Sequence, residues 1–420
     1  MTSPARRIAV VSTVLPYAGV PHAGGNYLLA LNRAWDLHGL DYAYLVPAYP
    51  SNEAAATVDG TPRHLVLGAR ETRFGRTLRR VTDWWRRLDP GAPDLEFAWA
   101  ILRDPTARRL ISEADVIDVQ WMEAIRLQPL LRRLNRRALL VGTFHDVLSQ
   151  RFARAADSAT PGRSRIKWWA ATRLALRSEK RLASRVDACV YFADKDAELM
   201  GTPAGSRIIE PPMASPDAPP HVPAHPVRVV FVAYLARPEN LDALRWMAHA
   251  IWPTVVTAHP AATLRVIGKG PTEDLRSQFA STPGVEVVGY VDDLTSEYAA
   301  AAACIVPLRL GAGVKFKVIE AMAAGVPVIS TSTGAEGIGT AERFVAVSDN
   351  ASELAAALIE TLADPVTSSR RAESTRAWAL ERFGFEHFVD AVAEVYGPIQ
   401  AGAHRATMPD VDAGAPPDQE

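Results

Sequence analysis

The 420-residue chain has only two cysteines, Cys189 and Cys304, each inside an apolar run ("ACVYFA", "ACIVPL"). Two isolated thiols make neither a disulfide framework nor a cysteine-rich metal site, and their setting reads as buried and reduced, in a reducing compartment. No apolar run approaches the ~18–20 residues that a membrane span needs. The opening "MTSPARRIAVVSTVLPY" breaks at Pro16 and reads as a first strand rather than a signal peptide. The formal net charge is −1, so no global field argues for nucleic acid, and any basic function must be local. A G-x-G-x-x-G after the first strand is also missing, which argues against a nicotinamide site.

What is present is an ordinary globular balance, 48% hydrophobic and 22% charged, on a chain too long for one core, so two domains are expected. "RIAVVSTVL" suits a buried parallel strand; "PYAGVPHAGG" follows as a loop and "NYLLALNRAWDLHG" as a helix ending at Gly39. "YAYLVPA", "DVIDVQW", "ALLVGTF", "DACVYFA" and "SRIIEPP" continue the strands, with helical stretches between them. "PPMASPDAPPHVPAHP" (211–226) has the composition of a linker. The rhythm restarts with strands "VRVVFVAY", "ATLRVIG", "VEVVGYV", "CIVPL" and "PVIST", separated by helices that include "NLDALRWMAHAIWPTVV", and it closes with the helices "ASELAAALIETLAD" and "FEHFVDAVAEVYGPI". The expected organisation is α/β: a doubly wound parallel-sheet domain at 1–212, a Pro-rich linker at 213–226, a second such domain at 227–383, a C-terminal helix at 384–400 and a disordered polar tail at 401–420. Open α/β sheets bind ligands at the carboxyl ends of their strands, so two such edges facing each other make a cleft for two substrates.

The stretch "RLGAGVKFKVIEAMAAGVPVIS" (309–330) carries the most chemistry. It is a loop at the carboxyl end of "CIVPL", then a helix stopped by Gly325. Gly311 and Gly313 let backbone N–H groups approach an anion, and the helix N-terminus adds a partial positive charge. Arg309, Lys315 and Lys317 add full charges. Glu320, about one turn into the helix, can accept both hydroxyls of a ribose. Together these parts suit a nucleotide diphosphate.

In this order the parts resemble the family-4 glycosyltransferases, which have the GT-B fold of two Rossmann-like domains facing across a cleft. The resemblance runs to about residue 395 and is strongest from Val230 to Ile338, through "VFVAYLARPENLDALRWM", "LRVIGKGP" and "VEVVGYVDDLTSEYAAAAACIVPLRLGAGVKFKVIEAMAAGVPVISTSTGAEGI". It implies a nucleotide-sugar donor in the second domain, retention of anomeric configuration, and chemistry with neither metal nor other cofactor. It implies donor contacts from Gly24, Gly25, Arg237, Val291, Arg309, Gly311, Ala312, Gly313, Lys315, Lys317 and Glu320, with base recognition by backbone around "GYVDD". Asp292 and Asp293 are then loop and helix-cap residues rather than metal ligands. The last helix is implied to cross back onto the first domain.

Two positions depart from the family pattern. Ala312 stands where many members carry the first of two glutamates, Glu320 matching the second. Tyr234 and Glu239 stand where many carry an Arg and a Lys, with Arg237 nearby. Phosphate binding then rests on Arg309, Lys315 and Lys317.

On the acceptor side, His145 and Asp146 follow the buried strand "ALLVGTF", facing the cleft. The resemblance matches His145 to the residue beside the acceptor and the sugar hydroxyls; it can polarise a hydroxyl or shuttle a proton, with Asp146 orienting it. His145, Lys317 and Glu320 form the catalytic set. No carboxylate stands as a nucleophile, so a same-face attack is expected, with Arg309 and Lys317 stabilising the leaving diphosphate.

Two helices, within 71–88 and 163–181, mix cations with aromatics. Phe74, Leu78, Val81, Trp85 and Leu88 recur at helical spacing beside Arg73, Arg76, Arg80 and Arg87, and Arg165, Trp169, Arg173 and Arg177 form one stripe. Core packing with a solvated basic face is one reading; docking on an anionic membrane surface is the other. The expected function is transfer of a hexose-type sugar to a glycan, glycolipid or secondary-metabolite acceptor, by a cytoplasmic protein or one peripheral at the inner face of the membrane. An epimerase or phosphorylase of the same fold, and a non-catalytic nucleotide-sugar-binding protein, remain alternatives, the last kept open by Ala312 and Tyr234.

Overall fold

The computed structural model describes residues 6–20, 23–69, 72–213 and 221–397. Part of the expected linker (214–220) and the tail (401–420) lie outside these residues.

The first sheet is built from β1 (Arg7–Val11), β2 (Asp41–Pro47), β3 (His64–Leu67), β4 (Val116–Gln120), β5 (Leu139–Phe144), β6 (Ala188–Tyr191) and β7 (Ser206–Ile208), in the order β3-β2-β1-β4-β5-β6-β7. The second holds β8 (Arg228–Val232), β9 (Thr263–Ile267), β10 (Val285–Gly289), β11 (Ala303–Val306), β12 (Val328–Ser330) and β13 (Ala346–Val347), in the order β10-β9-β8-β11-β12-β13. Every pairing is parallel. Central strands such as β1, β8 and β11 are buried on both faces, which is why they read as unbroken apolar runs. Strand order reverses between β1 and β4 in one sheet and between β8 and β11 in the other, and each reversal opens a crevice at the carboxyl ends.

The runs located the long central strands. They did not show β3 or the two-residue β13, both at sheet edges, nor the helix Pro365–Arg382, which Asp364 caps by accepting from Thr367 N at 3.0 Å. The stretch expected as one helix after β8 is Pro238–Trp246, a π-helical turn Met247–Ile251, and Trp252–Ala258. Pro253 lacks an N–H and its ring crowds the carbonyl one turn back, so the ladder widens there. Both cysteines are fully buried, and burial pushes the thiols of Cys189 and Cys304 up to about 11 and about 12.

The proline-rich segment is not a loose tether where it is described: Val222 N and Ala224 N donate to Ala299 O and Ala300 O, both at 2.9 Å. The helix Phe385–Tyr396 lies on the first domain. Its Phe388, Val389, Val392, Val395 and Tyr396 are buried in one cluster with Ile8, Tyr27, Leu31 and Trp35. Arg382 Nε, just before it, donates to Glu210 Oε1 at 2.7 Å.

Candidate functional site

The loop after β11 is pinned from beneath. Thr331 donates its hydroxyl to Leu308 O and accepts from Gly334 N. Gly311 and Gly313 have φ of 106° and 75°, in the region that only glycine enters without strain. At Gly313 a Cβ would lie 3.1 Å from His145 O and 3.3 Å from Asp146 Cβ, so the bare backbone lets the two domains meet there. The helix Phe316–Ala323 follows and ends at Gly325 (φ 79°), where Gly325 N and Val326 N bond back to Met322 O and Ala321 O. Ala312 lies partly buried between the two glycines and offers only backbone.

The cations are deployed unequally. Lys317 is held from below: its Nζ lies 3.4 Å from Asn240 Oδ1 and 5.0 Å over the Phe231 ring. Burial lowers it to about 8, and it raises Glu320, one turn on, to about 7, with Lys317 pulling the other way. Among the described residues neither has an ion-pair partner. Arg309 makes a two-pronged pair with Asp242 (3.0 and 2.6 Å) and lies over Trp246, so it is anchored to the helix Pro238–Trp246. Arg237 precedes that helix, exposed, with Glu239 at 3.9 Å. Val291, partly buried, packs on the core of the second domain, beside an exposed Tyr290 whose ring is capped by Lys269. Asp293 caps the next helix, accepting from Ser296 N at 2.9 Å, which is the role expected of it.

Lys315 points elsewhere. Its Nζ donates to Glu336 Oε1 at 2.9 Å and to Gly313 O at 2.5 Å. Glu336, which nothing in the sequence marks, is a hub. Arg154 of the first domain forks onto it at 2.9 and 2.6 Å and also donates to Gly311 O at 2.7 Å, and Lys195 stands 3.7 Å away. Burial would raise the Glu336 carboxyl, but these cations more than offset it and hold it low. Burial lowers Lys315 despite Glu336.

Opposite the loop, His145 Nε2 lies 2.8 Å from Gln120 Oε1, and its ring stacks on Trp121 at 3.9 Å with planes 9° apart. Trp121 has φ 69°, a strained value for a tryptophan. Gln120 thus supplies a hydrogen bond to His145, whereas Asp146 pairs with Arg151 at 3.4 Å. Gly24 and Gly25 lie in the first turn of the helix Ala23–Leu37. A Cβ on Gly24 would meet Trp121 at 2.6 Å and His145 Nδ1 at 3.5 Å; one on Gly25 would meet Val20 at 2.5 Å. Gly24 therefore lets the helix approach the His145–Trp121 stack. At the carboxyl ends of β2 and β3, on the same edge, Tyr49, Arg79, Thr82, Arg86, Asp94 and Glu96 line a cavity of about 200 Å³.

The fold and loop now have counterparts. Residues 226–364 match the family described as glycosyl transferases group 1. Sucrose-phosphate synthase from Thermosynechococcus elongatus superposes with a TM-score of 0.69 at 19% identity, covering 93% of this chain and 98% of that one. Anabaena HepE in complex with UDP and glucose superposes with a TM-score of 0.61 at 15% identity, covering 93% and 98%. These likenesses define the class: the chain has the GT-B fold. An uncharacterized 44.6 kDa protein in the cps region of Klebsiella pneumoniae is 33% identical over 134 residues, which are 30% of this chain and 34% of that protein's length.

Proposed function

We propose that the chain is a retaining glycosyltransferase that moves a hexose-type sugar from a nucleotide diphosphate sugar to a glycan, glycolipid or secondary-metabolite acceptor. The observation that carries this reading is the pair Lys317 and Glu320. Both lie where the strand order reverses, both are displaced toward neutrality by burial, and neither has an ion partner among the described residues. Groups perturbed in this way mark functional sites. A donor supplies what each lacks: phosphate oxygens for Lys317, ribose hydroxyls for Glu320.

The chemistry follows from the two walls. The leaving diphosphate develops charge as the glycosidic bond breaks, and Lys317 with the first amides of the helix Phe316–Ala323 stabilises it. Arg309 and Lys315 reach it only by leaving Asp242 and Glu336. His145 stands across the Gly313 contact, where an acceptor hydroxyl approaches the same face that the diphosphate leaves, and it takes part in moving that proton. The cation role falls to side chains and amides, so this reading needs no metal.

The acceptor enters over the first domain, whose surface favours an anionic membrane. The helix Arg73–Leu88 packs through Gly75 and Thr82 and turns Phe74, Val81, Trp84 and Trp85 outward among arginines, the reverse of a core-packed stripe. On the helix Arg163–Ala183, Ala171, Ala175 and Glu179 face in while Ile166 and Trp169 face out, with Arg173 over the Trp169 ring. Among the described residues no helix is long and apolar enough to cross a membrane. Flotation with anionic vesicles should carry the protein upward, and failure to bind them removes this part of the proposal.

The deciding experiment is a thermal-shift screen against UDP-, GDP-, dTDP- and ADP-sugars, without metal, followed by acceptor screening and NMR assignment of the product anomer. A ligand that binds only the folded state stabilises it by about 2.7 kcal/mol at 100 times its Kd. A shift with one nucleotide class supports the site. No shift with any favours a non-catalytic role, consistent with Ala312, Tyr234 and the internal pairing of Arg309 and Lys315.

A further inference from the structure

A line of buried polar groups crosses the core of the first domain from the cleft to the C-terminal helix. It starts at His145, whose Nε2 lies 2.8 Å from Gln120 Oε1. Gln120 Nε2 donates to Asp118 Oδ2 at 2.6 Å and to Thr143 Oγ1 at 3.2 Å. Asp118 Oδ1 in turn accepts from the Tyr396 hydroxyl at 2.7 Å. Asp118, Gln120, Thr143 and Tyr396 have no accessible surface.

Strand geometry explains the alignment. Residues 118 and 120 share one face of β4, and the parallel register sets Gln120 beside Thr143 of β5. Tyr396 is the last residue of the helix Phe385–Tyr396, so the line ends 251 positions along the chain from His145, counting from the residue numbers. A carboxylate and an amide in such a core cost stability unless they are fully bonded, and each of these is.

The line also has a direction. Asp118 accepts at both oxygens, from Tyr396 and from Gln120, so the amide nitrogen of Gln120 must face Asp118. Its oxygen then faces His145, and His145 Nε2 must carry a proton. Trp121, stacked at 3.9 Å, fixes the plane of the ring.

We propose that Asp118, Gln120 and Tyr396 are positioning residues that set the tautomer and orientation of His145, so that docking of the C-terminal helix is read out at the cleft. In this arrangement the proton of neutral His145 sits on Nε2, facing the core, and Nδ1 faces the helix Ala23–Leu37, 3.5 Å from where a Cβ on Gly24 would lie. The role of His145 in proton movement rests on the glycosyl-transfer reading; its tautomer does not.

The test uses the full chain labelled with ¹⁵N-histidine, its His145 signals assigned by their loss in His145→Gln. At a pH where the ring is neutral, His145 should show the Nε2–H pattern. Gln120→Leu, which removes the acceptor at Nε2, should lower the Nε2–H share relative to the parent. Tyr396→Phe removes one hydroxyl, keeps the ring against Trp35 (centroids 5.2 Å apart) and should shift the Nε2 resonance in a folded protein, so it serves where Gln120→Leu does not fold. A His145 pattern identical to the parent in the folded variants overturns the proposal. With a donor and acceptor in hand, Tyr396→Phe should lower kcat on the order of 10-fold at unchanged donor KM, less than the ~10²–10⁴-fold of an acid–base group itself. An unchanged kcat overturns the coupling to the cleft. The NMR arm needs no substrate, so it decides the tautomer even if every donor fails to bind.

Discussion

Lys317 and Glu320 lie one helical turn apart, and the fold disfavours both charges. Lys317 falls from its ordinary 10.5 to about 8, so between those values the folded chain holds fewer protons than the unfolded one. Stability rises with pH across that window, and below pH 8 the cost of the charged lysine is carried in full. Glu320 rises from 4.5 to about 7, so stability falls as pH climbs through that range, and its cost is complete above it. At neutral pH burial disfavours both charges, and on the proposed function a bound diphosphate and ribose would offset that cost. Lys317→Met should therefore stabilise the unliganded protein at pH 7 by on the order of 2 kcal/mol while abolishing the donor-induced thermal shift. Urea titrations at pH 7 and 10 provide the check, since the gain should shrink at the higher pH, where Lys317 is neutral. A variant less stable at pH 7, or one still stabilised by donor, would contradict this account. The sequence showed Lys317 and Glu320 through their place in the glycine loop and the helix after it, and through the family resemblance. It did not show that Arg309 and Lys315, equal to Lys317 in charge, are paired with Asp242 and Glu336.

At the scale of elements, the loop 309–315 is held from two sides. Arg154, on the helix Leu148–Ser158, ties Gly311 O and Glu336 to the first domain, and Lys315 ties Glu336 to the loop itself. The cluster crosses the cleft, so it fixes the loop and the relation of the domains together. Glu336→Ala would leave Lys315 buried without its counter-ion and Arg154 with only Gly311 O. Breaking a buried pair on one side costs about 3–5 kcal/mol. The expected result is a Tm lowered to match, with a larger radius of gyration in solution scattering as the domains part; a parental Tm would exclude the clasp. In the parent its contribution is present above pH 4.5 and lost as pH falls through the lowered Glu336 value. This element was illegible in the sequence for a physical reason. Strands and the glycine loop declare themselves within a few residues, through apolar runs and positive φ. Glu336 depends on partners at 154, 195 and 315 that only the fold assembles. Trp121 is a similar case, since nothing in "VQWMEA" marks the φ that stacks it on His145. The edge strands β3 and β13 failed differently: four and two residues are too few to stand out from loop.

At the scale of the molecule, the helix Phe385–Tyr396 makes the N-terminal domain depend on the far end of the chain. Five of its side chains, Phe388, Val389, Val392, Val395 and Tyr396, complete the core over Tyr27, Leu31 and Trp35. At roughly 1.5–3 kcal/mol for each large apolar side chain buried, their loss is as large as the roughly 5–15 kcal/mol that holds an ordinary domain together. Tyr396 adds the hydroxyl that satisfies buried Asp118, whose carboxyl burial already raises to about 6 against the pull of Gln120 and Tyr396. A fragment covering 6–213 should therefore fail to fold cooperatively, giving no sharp thermal transition and binding a hydrophobic dye. A fragment covering 221–384 has its own closed core around β8, β11 and β12 and should melt cooperatively. Adding a peptide of residues 385–397 to the first fragment should restore a transition, and the same peptide with Tyr396→Phe should restore it at lower affinity, by about 1–3 kcal/mol for the unsatisfied carboxylate. A first fragment that melts sharply alone would mean that the returning helix is a surface attachment, and that the polar line from Asp118 to His145 stands without it.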